Sequence, residues 1–220
     1  MTTSSLLIVD DHPMVIDGYI NALSNHDAAI DFTTANSCQK AYLKITERYV
    51  SQKAFHAAFL DISLPPYADK QINSGVDLAR LIRNHFPLCK IILLTMHSES
   101  LIVNNAIQEL NPEGFILKND IDSHSFKEAY RVIMNGETFY SATIQKVRNE
   151  FLAEKLDFDA IDYQILALLA QKVKTKDMPI HLNLSLSAIE KRKAHIKYVL
   201  LKDVGGSLEI VAAAKRIGLL

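Results

Sequence analysis

The sequence lacks the features of a membrane-spanning or secreted protein. No apolar stretch approaches the roughly 20 residues that a membrane-spanning helix needs, and the N-terminus has neither the basic nor the apolar region of a signal peptide. Glycine and proline are scarce, with 7 and 6 in 220 residues, while 49% of the residues are hydrophobic. This composition argues against a disordered chain and predicts a well-packed cytoplasmic protein of one large domain or two smaller ones.

Motifs for zinc and for nucleotide hydrolysis are also missing. The eight histidines form no HxH or HExxH pair, and Cys38 and Cys89 do not have metal-ligand spacing. We therefore predict no zinc site and expect both cysteines to be reduced core residues. The chain has no GxxxxGK[ST] loop, so nucleotide hydrolysis is not indicated.

The charge is nearly balanced overall but unevenly distributed. The net charge is −1, yet residues 171–202 contain eight Lys or Arg and only two acids, a local balance of +6. The rest of the chain therefore carries −7. This asymmetry indicates an acidic module joined to a basic one.

Four apolar, strand-like runs end in polar residues that can do chemistry. Ala57 to Leu60 ends in Asp61, and the others end in an acidic pair, a hydroxyl and a lysine: Asp10 and Asp11, Thr95, and Lys118. Polar residues commonly punctuate strand ends, but this combination favours a functional constellation. In an open α/β sheet, ligands bind beyond the carboxyl ends of the strands, where these side chains would lie.

The first half alternates strand-like and helix-like segments. The pattern predicts strands at 6–10, 30–35, 57–61, 90–95 and 114–117, and helices at 14–24, 37–50, 75–86, 99–110 and 124–135. Five such units predict an α/β doubly wound, five-stranded parallel sheet. In the flavodoxin-like order 2-1-3-4-5, Asp10, Asp11 and Asp61 would converge where the strand order reverses.

Three converging carboxylates repel one another unless a cation lies among them, and oxygen ligands of this kind suit Mg²⁺. Lys118 adds a second positive charge and Thr95 adds a hydroxyl, which are useful when an anion with several oxygens binds. Together these residues predict phosphoryl transfer onto Asp61, with Mg²⁺ as the cofactor.

The segments VDDHP at 9–13, FLDISLP from 59, LLTMH at 93–97 and FILK at 115–118 resemble the receiver domain of two-component response regulators. The resemblance covers about residues 1–135. It implies that Asp61 is the phosphoacceptor, that Asp10, Asp11, Asp61 and the Ser63 carbonyl bind Mg²⁺, and that a sensor histidine kinase is the partner. It also implies that Thr95 and Phe115 form a switch pair, although spacing alone favours an ordinary core aromatic at Phe115. Such a protein is not an enzyme beyond its own phosphorylation and dephosphorylation.

Two departures from the receiver pattern stand out. Asn119 follows Lys118, where receivers commonly have Pro. A long segment, residues 66–74, separates the Asp61 strand from Gly75, and we expect it to overhang the phosphorylation site. It either alters dephosphorylation or kinase docking, or is a tolerated surface insertion.

Residues 136–156 are expected to be a helical linker, because apolar residues recur there at helical spacing. From 157 to 220 the pattern predicts helices throughout: one after Asp159, a short one after Thr175, one from Ser185 or Ser187 to Leu200, and one at 207–217. A short helix, a tight turn and a helix with a basic outer face are typical of a helix-turn-helix DNA-binding domain.

This part resembles the LuxR-type helix-turn-helix, so the whole chain is similar to a response regulator of the NarL/FixJ class. Lys172 stands where Gly is usual, Pro179 where a small residue is usual, and Glu190 where the residue is often basic. We expect Pro179 to fall in the first turn of the short helix, where proline is tolerated. The residues expected to contact DNA are Lys176, Ser187, Glu190, Lys191, Lys193 and Lys197. We expect a phosphorylation-activated regulator that binds double-stranded DNA, as a homodimer when phosphorylated, and has no membrane partner. The alternative is a receiver-controlled protein-interaction module that does not bind DNA.

Overall fold

The computed structural model describes residues 4–24, 30–202, 204–216 and 219–220, except for the side chains of 153–155 and 216. The chain divides into two compact units, Met1–Ile144 and Gln145–Leu220. The division falls inside the segment expected to link the domains. No helix in the described ranges is long and apolar enough to cross a membrane.

The first unit is built on a parallel sheet of six strands in the order β2-β1-β3-β4-β5-β6. The strands are β1 (Ser4–Val9), β2 (Ile30–Ala35), β3 (Ala57–Asp61), β4 (Lys90–Thr95), β5 (Gly114–Leu117) and β6 (Phe139–Tyr140). Strands β3 and β5 are buried along their whole length, as expected for strands covered on both faces. The predicted fold class and the order of the first five strands are confirmed.

Five helices cover the sheet: α1 (Pro13–Ser24), α2 (Cys38–Val50), α3 (Gly75–His85), α4 (Ser100–Leu110) and α5 (Ser123–Met134). Side-chain caps start three of them. Ser37 accepts a hydrogen bond from the Lys40 amide, Ser74 caps α3, and Asp122 forms a capping box with Ser125. Both cysteines are buried and form no disulfide.

The sixth strand follows α5 and was not predicted. Gly136 ends the helix with a φ of +90°, a conformation that favours glycine. The Phe139 amide then donates to the carbonyl oxygen of Glu113 at 2.9 Å, which adds β6 to the edge of the sheet. Two residues are too few to show a strand periodicity in the sequence, so pairing with β5 decides this element.

Residues 66–74 form a loop that packs on α2. Tyr67 and Ile72 pair as an antiparallel bridge, and Ile72 is buried. The Tyr67 ring contacts the Tyr42 ring of α2 edge-on at a centroid distance of 5.7 Å. The segment thus contacts α2 through Tyr67 and α3 through Asn73 and Ser74, and its effect on dephosphorylation stays a prediction.

Helix α6 (Ala142–Leu156) begins in the first unit and continues into the second, which contains α7 (Ala160–Ala170), a 3₁₀ helix (Thr175–Ile180), α8 (Leu186–Leu201) and α9 (Ser207–Arg216). Ser185 caps α8, which decides between the two expected starts. The second unit has its own apolar core, which includes Ile165, Leu166, Met178, Ile189, Ile196 and Ile210. Residue 217, where the last helix was expected to end, lies outside the described residues.

The turn between α7 and α8 departs from an ordinary α-helical pattern. Lys172 has a φ of +61°, in the left-handed region, at the position where the resemblance expects Gly. The expected short helix is a 3₁₀ helix, and Pro179 lies near its end rather than in its first turn. Proline has no amide hydrogen, so Pro179 cannot donate the hydrogen bond to the Lys176 carbonyl oxygen that another residue could form in a 3₁₀ helix.

Candidate functional site

The carboxyl ends of β1, β3, β4 and β5 bring the predicted site residues to one edge of the sheet. Asp10 directly follows β1, and Asp61 ends β3. The strands are in parallel register, with Asp61 opposite Leu94 and Thr95 opposite Leu117. Since parallel strands all end on the same side, their terminal side chains meet there.

Lys118 joins the two buried carboxylates. Its Nζ donates to Oδ2 of Asp10 at 2.6 Å and to Oδ2 of Asp61 at 2.7 Å. The side chains of Asp10 and Asp61 are 0% and 5% exposed, and that of Lys118 is 10% exposed. Buried carboxylates of this kind are tolerated because they are paired and hydrogen-bonded.

The electrostatics of this triad follow from burial and pairing. Burial raises the pKa of Asp61 above its usual value, and the hydrogen bond from Lys118 offsets only part of that rise. Burial alone would lower the pKa of Lys118, but its hydrogen bonds to Asp10 and Asp61 raise it instead. Lys118 therefore stays positively charged beside the carboxylate.

Asp11 and His12 extend the acidic cluster toward solvent. Ligand atoms of Asp10, Asp11 and His12 all lie within 4.8 Å of one another, the only such group among the residues that the structure describes. Oδ1 of Asp11 is buried and accepts no hydrogen bond within this described part, although Nδ1 of His12 lies 2.7 Å away. A buried carboxylate oxygen such as Oδ1 of Asp11, which accepts no hydrogen bond in the described residues, fits a site for a divalent cation. His12 was not predicted as a site residue.

Asp61 is positioned by its own loop. Its Oδ1 accepts a hydrogen bond from the Ser63 amide at 3.2 Å, which places Ser63 beside the carboxylate. Asp61 does not join the cluster of Asp10, Asp11 and His12; its carboxylate is connected to Asp10 through Lys118.

The expected switch pair lies on the two neighbouring strands. Thr95 is 1% exposed at the end of β4, and its Oγ1 accepts a hydrogen bond from the His97 amide at 2.9 Å. Its hydroxyl thus bonds to the loop that follows β4. Phe115 is fully buried in β5, two strands away from Asp61.

Gly75 is a site residue whose importance the sequence pattern did not show. A Cβ at this position would lie 1.9 Å from the carbonyl oxygen of Asp61 and 3.2 Å from the Cα of Ile62. The Gly75 amide also donates to the Ile62 carbonyl oxygen at 3.0 Å. Helix α3 can therefore approach the Asp61 strand this closely only with glycine at its first position.

In the second unit, the predicted DNA-contact residues lie on or beside α8. Ser187, Glu190 and Lys191 are exposed, Lys193 and Lys197 are half-buried, and Lys176 is exposed on the 3₁₀ helix. The opposite face of α8 buries Ile189 and Ile196. Nζ of Lys193 donates to Oγ1 of Thr175 at 2.9 Å, so this lysine also holds the 3₁₀ helix.

Arg192 has a structural role that sequence reasoning missed. Its guanidinium lies 2.8 Å from Oδ2 of Asp159 and 3.0 Å from Oδ1 of Asp162. Asp162 is buried, with a side chain 4% exposed. The arginine therefore fastens α8 to the N-terminus of α7, where Asp159 and Asp162 also form the capping box.

Residues 6–131 match the family of response regulator receiver domains. Over its full length the chain resembles the oxygen regulatory protein NreC of Staphylococcus haemolyticus, with 27% identity over 98% of each chain. Two solved structures of RcsB from Salmonella share its fold. One, from a study of conformational dynamism in DNA interaction, has a TM-score of 0.57 and 21% identity, covering 98% of this chain and all of that one. The other, RcsB bound to a promoter with the phosphomimetic BeF₃⁻, has the same TM-score and identity, covering 96% of this chain and 98% of that one.

Proposed function

Because the chain belongs to the response regulator receiver family, we propose that it is a phosphorylation-activated transcription regulator that binds DNA through its second unit. The resemblance to the NarL/FixJ class is confirmed, since relatives match both units. The observation that carries the proposal is the Lys118 bridge between Asp10 and Asp61 at the carboxyl edge of the sheet.

Asp61 is the proposed phosphoacceptor. A carboxylate oxygen of Asp61 attacks the phosphorus of a kinase phosphohistidine, the P–N bond breaks, and an aspartyl phosphate forms. The Lys118 ammonium lies 2.7 Å from the same carboxylate, so it can offset the charge on the phosphoryl oxygens. Thr95 can donate its hydroxyl to one of those oxygens after releasing the carbonyl oxygen of His97, to which it donates at 3.3 Å.

The carboxylates and the Ser63 loop also fit a divalent cation. Asp10, Asp11, Asp61 and the Ser63 carbonyl would hold Mg²⁺, and the buried Oδ1 of Asp11, which accepts no hydrogen bond in the described residues, supports this assignment. A bound Mg²⁺ would offset negative charge on the phosphoryl oxygens. His12 lies beside this group at the surface, with a side chain 69% exposed.

A cavity of about 420 Å³ lies beside Lys118 and supports docking of a kinase at this edge. Residues of α1 and α5 line it, including Gly18, Tyr19 and Phe126. Lys118, which bonds to the carboxylate of Asp61, also lines this cavity, so a kinase bound there would lie close to the phosphoacceptor.

The proposed DNA contacts come from the exposed side of α8. Lys191 would contact base edges, while Lys176, Lys193 and Lys197 would contact phosphates. Ser187 and Glu190 are on the same exposed side. Glu190 repels phosphates but can accept a hydrogen bond from a cytosine amino group. Phosphorylation would shift the population toward a homodimer that spans two half-sites.

The test is binding of the purified protein to duplex DNA over a salt series, with and without Mg²⁺ and a small phosphodonor. The logarithm of the association constant should fall linearly with the logarithm of the salt concentration, with a slope of about −0.9 for each DNA phosphate contacted. The gain with phosphodonor should disappear in Asp61→Asn. Lys191→Ala should weaken binding, while Lys53→Ala, an exposed lysine of the first unit, should leave it unchanged.

The same experiment distinguishes this regulator from the alternative, a receiver-controlled protein-interaction module that does not bind DNA. If Asp61 is phosphorylated but the affinity for duplex DNA shows no dependence on salt, the second unit has a protein partner instead. A chain that takes up no phosphoryl group at Asp61 would refute the receiver chemistry itself.

A further inference from the structure

Ser141, which directly precedes α6, and Thr143, in the first turn of α6, form hydrogen bonds on either side of Lys118. On one side, the Leu117 amide donates to Oγ of Ser141 at 3.0 Å. On the other side, Asp120 accepts hydrogen bonds from the amide and the hydroxyl of Thr143, both at 2.8 Å. Lys118 therefore lies in a three-residue turn whose two flanks are held by the start of the linker helix.

Ser141 also forms a backbone hydrogen bond with Phe115 in β5. Its amide donates to the carbonyl oxygen of Phe115 at 3.0 Å, next to the β6 pairing of Tyr140 with Phe115. Ser141 is 3% exposed, and its bond to the Leu117 amide is buried. Removing its hydroxyl would leave the buried Leu117 amide without this acceptor, which costs about 1–3 kcal/mol.

We propose that Ser141, Asp120 and Thr143 are positioning residues, which hold Lys118 in place and carry its displacement on phosphorylation to the first turn of α6. The inference rests on the proposed function. Nζ of Lys118 bonds directly to Oδ2 of Asp61, so a phosphoryl group added at that oxygen would displace the ammonium from its present position.

The displacement has a defined path. The backbone amide of Leu117 bonds to Ser141, and the side chain of Asp120 bonds to Thr143, so movement of the turn that carries Lys118 changes those bonds. Thr143 lies in the first turn of α6, and the same helix continues along the chain into the second unit. If these hydrogen bonds transmit the change, phosphorylation of Asp61 must alter both the turn that carries Lys118 and the first turn of α6.

The first test is amide hydrogen exchange in the full-length protein, with and without Mg²⁺ and beryllofluoride. Exchange of the Thr143 amide should change by at least about fivefold, the lower end of coupling between sites. The change should vanish in Ser141→Ala. An unchanged Thr143 amide in wild-type protein that has bound beryllofluoride would overturn the inference.

The second test separates coupling from a merely structural role. Thr143→Val removes the hydroxyl bond to Asp120 but keeps the amide bond. Phosphorylation of Asp61 should therefore slow less than the phosphodonor-dependent gain in DNA affinity falls, and that gain should drop at least about fivefold. Thr143→Ser, which keeps the hydroxyl, should restore the gain. Thr138→Val, at an exposed threonine of the same segment, is the matched control.

A Thr143→Val protein with the full gain in affinity overturns the inference. Urea unfolding of each variant shows whether it is folded, and Thr143→Val serves where Ser141→Ala fails to fold. If wild-type protein is phosphorylated without any gain in DNA affinity, the proposed regulation of DNA binding fails, and amide exchange at Thr143 still decides the inference.

Discussion

Replacing Gly75 with alanine should disrupt the phosphorylation site from the helix behind it. The added Cβ would lie 1.9 Å from the carbonyl oxygen of Asp61, whereas ordinary contacts begin near 3.4 Å. Every atom in the way belongs to backbone, so no side chain can rotate to relieve the clash. Helix α3 and strand β3 must therefore separate by about 1.5 Å, the difference between these two distances.

This separation has two measurable costs. Overpacking costs about 1–3 kcal/mol, and weakening the Gly75–Ile62 hydrogen bond adds about 1 kcal/mol, so Gly75→Ala should lower the free energy of unfolding by about 2–4 kcal/mol. Misplacing a reacting group by about 1 Å can slow a reaction about a hundredfold. We expect phosphorylation of Asp61 by a small phosphodonor to slow by at least about tenfold.

The assays are urea unfolding and the initial rate of phosphorylation under conditions where the variant is folded. Gly18→Ala is the control, because a Cβ at Gly18 has no atom within 4 Å and Gly18 lies inside α1. It should stabilise the protein by up to about 1 kcal/mol, through helix propensity alone. If Gly75→Ala matched wild type in both stability and rate, the close contact between α3 and Asp61 would not exist.

Three further predictions concern other contacts. Hydrogen bonds from Arg83, at 2.8 and 3.1 Å, hold the pKa of Glu113 below its usual value although burial opposes this. The contribution of Glu113 to the free energy of unfolding is therefore complete above its usual pKa and is lost as pH falls through its lower pKa in the folded protein. Glu113→Gln removes this contribution, so the free energy of unfolding should fall less steeply at acidic pH in the variant than in wild type. Arg192→Met should destabilise the second unit by about 2–4 kcal/mol in urea unfolding, because it leaves the buried Asp162 carboxylate unpaired, and an unchanged midpoint would contradict this pairing. Lys172→Gly should raise the unfolding midpoint by relieving a φ of +61°, worth about 0.5–1 kcal/mol, and a loss of stability would refute that reasoning.

Much of the fold was predictable from local patterns. Apolar runs four to six residues long mark the buried parallel strands, and the cap residues Ser37 and Asp159 mark helix starts. The convergence of Asp10 and Asp61 also follows from sequence alone, because parallel strands end at one edge of a sheet. Each of these features depends on neighbouring residues or on a general rule of topology.

Other features depend on partners far away in the chain. Lys118 and Asp10 are 108 residues apart, and no local pattern states which carboxylate the lysine binds. Strand β6 exists because β5 offers a free edge, and Ser141 becomes important only through that pairing. Arg192 looked like part of a basic surface, yet folding places it against Asp162. The sequence by itself determined the elements and the chemical types at the strand ends, whereas tertiary structure decided which groups meet, because long-range contacts are set by packing and not by local periodicity.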